Sequence, residues 1–124
     1  MSGSVVAPYS EAARAFVRET TCRVRWPRDD QGVPRLPWED WQYAYGALVD
    51  KWLHGGECAV VDAGDEVYLA FALSFEGLVR MVYVKKEFRG HGFGIRLLDS
   101  VGTRIPHCPN AGWRAWARGW QTTQ

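Results

Sequence analysis

The sequence predicts an α/β (α+β) fold, with helices flanking a mixed, mostly antiparallel sheet. Three observations predict it. The alternating run Val67 to Phe75 is separated by only Glu76-Gly77 from a second apolar run, Leu78 to Val84, which reads as an antiparallel hairpin. The segment Trp38 to Leu53 carries large apolar residues at helical spacing. The second strand then runs through a charged turn into a glycine-rich loop and another apolar helical segment.

From the N-terminus, Val5-Val6 suggests a very short first strand. Ser10 is placed as an N-cap, and Glu11 to Glu19 reads as a helix with Ala12, Ala13 and Phe16 inward. Trp26 to Pro37 holds three prolines, a glycine and Asp29-Asp30, so it forms a loop, long enough to serve either function or connection. In the next helix Trp38, Trp41, Tyr45, Leu48, Val49 and Trp52 recur on one side. Glu39 and Asp40 occupy its first turn, where negative charge is favoured, and Gly55-Gly56 ends it. Cys58 to Asp62 is the next strand, followed by a turn at Ala63-Gly64-Asp65. On the Val67 to Phe75 strand, Val67, Leu69, Phe71, Leu73 and Phe75 are expected along one face. Gly94 to about Val101 is the last clear helix. Beyond Gly102, Trp113, Trp116 and Trp120 suit one helix face, while Trp113 to Ala117 suits a short strand equally well.

The chain has 124 residues, 47% of them apolar and 14% aromatic, which is enough for the core of one small domain spanning 1–124. Its net charge of +1 gives no reason to expect attraction to nucleic acid or to an anionic membrane. No apolar run approaches the about 18 residues of a membrane span, and no signal-peptide pattern is present, so a cytoplasmic protein is expected. Cys22, Cys58 and Cys108 are an odd, scattered set that fits a reducing compartment better than a disulfide framework or a zinc site; no metal is expected.

The chemistry concentrates in Val82 to Leu98, VYVKKEFRGHGFGIRLL. A strand, a glycine loop and a helix start in succession form an anion-binding device, because the first amides of a helix are unpaired and its dipole favours negative charge there. Three familiar glycine loops fail. The dinucleotide fingerprint needs its third glycine where Ile95 stands. The P-loop needs Lys-Ser/Thr after its last glycine, where this chain has Ile95-Arg96. The kinase loop needs a valine there and a hairpin rather than a helix.

Arg89-x-x-Gly92-x-Gly94 does match the Arg/Gln-x-x-Gly-x-Gly/Ala signature of the GNAT N-acetyltransferases, with Tyr83-Val84 before it and Leu97-Leu98 after it. The chain therefore resembles that family, most specifically from Leu78 to Val101 and more weakly back to Trp38. The resemblance implies acetyl-CoA as co-substrate. Its pyrophosphate would rest on the amides of Gly90, His91, Gly92, Phe93, Gly94 and Ile95, with Arg89 contacting the ligand or bracing the loop. Lys85, Lys86 and Arg96 are cations near enough to meet the 3′-phosphate. Main-chain groups of Val82, Tyr83 and Val84 would hold the pantetheine and polarise the thioester carbonyl. The implied reaction is direct attack by a primary amine of a small molecule or protein within a ternary complex.

Such an amine titrates near ~10.4 and must lose its proton before it attacks. Glu57, Glu66 and His107 are the candidates for the base, with Asp62, Glu76 and His54 behind them; none has a spacing to the loop that the family would recognise. The family also continues past the loop helix into further strands and a helix whose tyrosine protonates the leaving thiolate. This chain reaches only Gln124, 22 residues past Gly102, so a C-terminally shortened version of the fold is expected, like the minimal forms in phages; no tyrosine follows Tyr83, so the usual thiolate acid is missing. Three explanations stand side by side: the thiolate leaves unassisted, a second subunit completes the sheet as a homodimer through the C-terminal edge, or the fold is kept for binding or assembly without catalysis.

Overall fold

The structure, a computed structural model, describes residues 5–101. The elements in order are β1 (Val5–Pro8), a 3-10 turn (Glu11–Ala13), α1 (Arg14–Val24), α2 (Trp38–Gly55), β2 (Glu57–Asp62), β3 (Tyr68–Phe75), β4 (Leu78–Val84), a second 3-10 turn (Lys86–Phe88) and α3 (Phe93–Ser100). The four strands form one sheet in the order β1-β2-β3-β4, and every neighbouring pair is antiparallel. The segment 113–120, read as either strand or helix, lies outside the described residues, as does the C-terminal part for which a shortening was expected.

The sheet is buried on both faces. Ala13, Val17 and Cys22 from the α1 side and Val49 and Trp52 from α2 pack against Val60, Phe71, Leu73 and Met81 on one face. Phe93, Leu97 and Leu98 of α3 pack against Ala59, Val61, Ala70, Ala72 and Val84 on the other. The first face is filled by large rings and the second by small side chains, which lets α3 approach the sheet closely. Phe71, Leu73 and Leu97 are fully buried, and each contributes about 1.5–3 kcal/mol of transfer free energy. Arg14 and Arg18 both pair with Asp50, at 3.0 and 3.2 Å, which ties α1 to α2. The Arg18 guanidinium occupies the space a Cβ on Gly46 would take.

Four local expectations are corrected. The first helix runs on to Val24. Ala12 faces solvent, and Ala13 and Val17 are the fully buried positions. Leu48 is 38% exposed, because Gly46 and Val49 take the inward side of that turn of α2. The one-face reading of β3 fails at its start: the register slips between Val61 and Asp62, and Leu69 is the extra residue. That bulge moves Leu69 to the α3 face beside Ala70, while Phe71 and Leu73 face the large rings. Val67 stays 47% exposed.

The Glu76-Gly77 turn forms as expected. Both residues have positive φ, 54° and 75°, and Phe75 pairs directly with Leu78. This is the primed turn geometry whose twist suits a two-residue hairpin.

Candidate functional site

Among the described strands β4 is an outer one, and its register shows which main-chain groups face outward. The Lys85 N–H donates to Leu69 O at 2.9 Å. Hydrogen-bonded and non-bonded pairs alternate along an antiparallel ladder. With Phe71 opposite Tyr83 and Ala72 opposite Val82, it follows that Tyr83 is bonded to β3, while Val82 and Val84 turn their N–H and C=O groups away from it. The Val84 carbonyl is already taken, because Arg89 Nε donates to it at 3.0 Å. Arg89 thus braces the start of the loop against the end of β4.

The glycine loop follows that brace. Gly90 and Gly92 have φ of 86° and 79°, values that only glycine adopts freely. Gly92 caps α3. The first helical N–H to find a main-chain acceptor is that of Arg96, onto Gly92 O at 3.3 Å. The amides from Gly90 to Ile95 are therefore left to a ligand or solvent. Gly94 is buried in the first turn of α3, beside the buried Phe93. His91 is exposed, its ring 6.1 Å from that of Phe93, and Ile95 is 42% exposed. Loop amides and outward strand groups thus follow one another along one side of the molecule.

The surrounding cations are distributed unevenly. Lys85 Nζ lies 5.5 Å from the centre of the Phe16 ring, toward the α1 face. The Arg96 guanidinium lies 5.9 Å from the Phe93 ring centre, close to the loop. Lys86 is exposed in the turn that precedes the loop. The Tyr83 ring packs against Phe71 and Phe16, at 5.9 and 6.4 Å, on the face away from α3.

The suggested bases are not brought together. Glu57 is exposed at the start of β2, two strands in from β4, about 10 Å away at ordinary strand spacing. Glu66 is exposed in the β2–β3 turn, at the end of the sheet away from Glu57, with φ of 58°. His107 lies outside the described residues.

A concavity of about 480 Å³ opens on the far side of the sheet, beside β1 and the ends of α2 and α3. Glu57 and Cys58 line it. Burial pushes the Cys58 thiol up to about 12, so it is a poor nucleophile at neutral pH. Tyr9, also in the lining, has its hydroxyl raised first by burial and then by the Glu11 charge. This cleft holds neither the free amides nor a poised nucleophile, so the β4 edge is the better candidate.

Sequence reading missed a second slip, between Leu73 and Ser74, which leaves Arg80 as the extra residue of β4. The bulge turns both Arg80 and Met81 toward the α2 side. The Arg80 guanidinium lies 5.6 Å from the Trp52 ring centre and 5.8 Å from that of Phe75. Arg25, which caps the end of α1, donates to Arg80 O at 3.0 Å and reaches Met81 Sδ at 3.9 Å. The one sequence signal was Arg80 itself, the only charge in LVRMVYV. Among the described residues no helix is long and apolar enough to cross a membrane, and no cluster of metal-ligating side chains occurs.

No protein-family model and no curated protein matches the chain. Solved structures do match. One is a GCN5-related N-acetyltransferase of Rhodopseudomonas palustris, also described as a class-II aminotransferase: TM-score 0.58 and 18% identity, over 95% of this chain and 81% of that one. Another is a protein of Pyrococcus furiosus provisionally described as an acetyl transferase: TM-score 0.59 and 16% identity, over 93% of this chain and 90% of that one. At these identities the likeness shows the fold, and the α+β architecture is GNAT-like.

Proposed function

We propose that the chain binds acetyl-CoA along β4 and the glycine loop and transfers the acetyl group to a primary amine. The observation that carries this reading is the continuity of donors along one edge: free amides from Gly90 to Ile95, then the outward N–H groups of Val84 and Val82. The pyrophosphate takes the loop amides, favoured by the start of α3. The pantetheine continues past Val84, which leaves the thioester near Val82. There the Val82 N–H polarises the thioester carbonyl, a donor held in place before the reaction begins. The neutral amine attacks the carbonyl carbon, the C–S bond breaks, and the sulfur leaves with the electron pair. The proton lost by the amine balances the CoA thiol released.

Titration calorimetry with acetyl-CoA tests the reading. Wild type should bind, and Gly92→Trp should abolish binding by filling the phosphate position. A side chain at that positive φ also strains the loop, so His91→Glu serves as a second variant at an exposed site. It places a negative charge beside the phosphates and should weaken binding about 10-fold, the equivalent of about 1.4 kcal/mol. No heat of binding with wild type at millimolar acetyl-CoA overturns the proposal.

A further inference from the structure

We infer that the acceptor amine carries a carboxylate, which Arg25 and Arg80 bind at the bulge of β4. The inference rests on the proposed acetyl transfer and names the substrate class for that site.

Two observations carry it. The first is position. A thioester beside Val82 lies two residues along β4 from Arg80, about 7 Å at strand spacing. A short aliphatic chain spans that distance, so an amine attacking at Val82 can present a carboxylate at the bulge. The Arg25 guanidinium rests on the main chain of this bulge, donating to Arg80 O at 3.0 Å. Its charge also acts on Tyr45, where it opposes the rise in hydroxyl pKa that burial causes. Tyr45 in turn meets Trp52 edge to face at 6.0 Å, and Trp52 carries the Arg80 guanidinium. Tyr45, Trp52 and the Arg80 guanidinium therefore pack in succession, and Arg25 rests on the main chain of the same bulge.

The second observation is charge. Among the described residues no carboxylate lies within ion-pair distance of Arg25, and Arg80 has only Glu76 at 3.9 Å, an exposed and loose contact. Arg14 and Arg18, by contrast, share Asp50 at close range. Arg80 Nε is buried without a hydrogen-bond partner. Two guanidiniums left without a close counter-ion, beside the place where the acceptor must approach, fit the forked geometry of a carboxylate.

Matched amines provide the test. Lysine and cadaverine present the same kind of primary amine, with and without a carboxylate. Release of CoA thiol from acetyl-CoA is measured with each, alongside calorimetric binding of acetyl-CoA alone. Wild type should favour lysine about 10- to 100-fold in kcat/KM, the range of a hydrogen bond to a charged group. In Arg25→Gln that preference should shrink toward unity, with acetyl-CoA affinity kept. Arg80→Gln is compared in the same way after its melting temperature is checked; Arg25 lies at the surface, so its variant stands even if that one unfolds. Equal or better use of cadaverine by wild type overturns the inference while leaving acetyl transfer intact. Failure to bind acetyl-CoA overturns both.

Discussion

The two halves of β4 offer different chemistry to a molecule lying along its outer side. From Val82 onward the strand presents main-chain groups, and the loop beyond it continues them as free amides. Around Arg80 the ladder is broken by a bulge, and the strand presents side chains: a guanidinium on Trp52 and Phe75, joined by Arg25 from α1. Main-chain donors suit a co-substrate common to many acceptors. Side-chain cations suit the partner that must be distinguished from others. Under the proposed function, cofactor recognition and acceptor choice share one strand and can still be altered separately.

The largest effect is expected from removing the outward donor without touching the ladder. Val82→Pro deletes an N–H that faces away from β3, a position where proline is tolerated on an outer strand. We expect kcat to fall about 10²- to 10³-fold, the loss typical of one oxyanion donor, with a much smaller change in acetyl-CoA affinity. Steady-state kinetics and calorimetry read the two separately. An unchanged kcat would remove Val82 from the chemistry.

Next in size is the neighbouring position. Tyr83 is bonded to Phe71, so Tyr83→Pro leaves a buried acceptor unpaired and also removes a packed ring. It should cost about 1–3 kcal/mol more than Val82→Pro in urea unfolding. Equal losses would contradict the assigned direction of the ladder.

A smaller effect is expected where strand and loop are joined. Arg89→Met removes the donor to Val84 O. A bond of this kind contributes about 0.5–1.5 kcal/mol, so acetyl-CoA binding should weaken about 2- to 10-fold. A loss far beyond that range would assign Arg89 a direct ligand contact.

Cys58 on β2, beside the far cleft, supplies the smallest effect at neutral pH. The Cys58 thiol, ordinarily near 9.0, is pushed up to about 12 by burial. Unfolded chains therefore ionise first as pH rises. The contribution is fully present below the ordinary value and is lost between it and about 12. Unfolding free energy should fall with pH above about 9 in wild type and less steeply in Cys58→Ala. Parallel curves would show that burial does not hold the thiol protonated.

What could be read from the sequence follows the same division. Gly90, Gly92 and Gly94 announced the loop because positive φ and close approach demand glycine, and the spacing selected one kind of loop. The Glu76-Gly77 hairpin and the end of α2 at Gly55-Gly56 were legible for similar reasons. The bulges were not. The lone charge in LVRMVYV does not by itself say that Arg80 is unpaired, and nothing in the alternation at Val67 marks Leu69; both slips depend on how neighbouring strands fit. Leu48 went wrong because a wide tryptophan stripe does not show which flank the sheet covers. Arg25 could not be found by pattern at all, since its contact spans 55 positions in sequence.

The central claim is that one acetyl-CoA molecule lies on the loop and the outer side of β4. Titrating acetyl-CoA into isotope-labelled protein and following its amide signals by NMR tests it directly. With acetyl-CoA on this edge, the largest shifts cluster at Gly90 to Ile95, Val82 and Val84, with Cys58 and Ala59 beside the far cleft little changed. Shifts centred on that cleft, or none along β4, would contradict it.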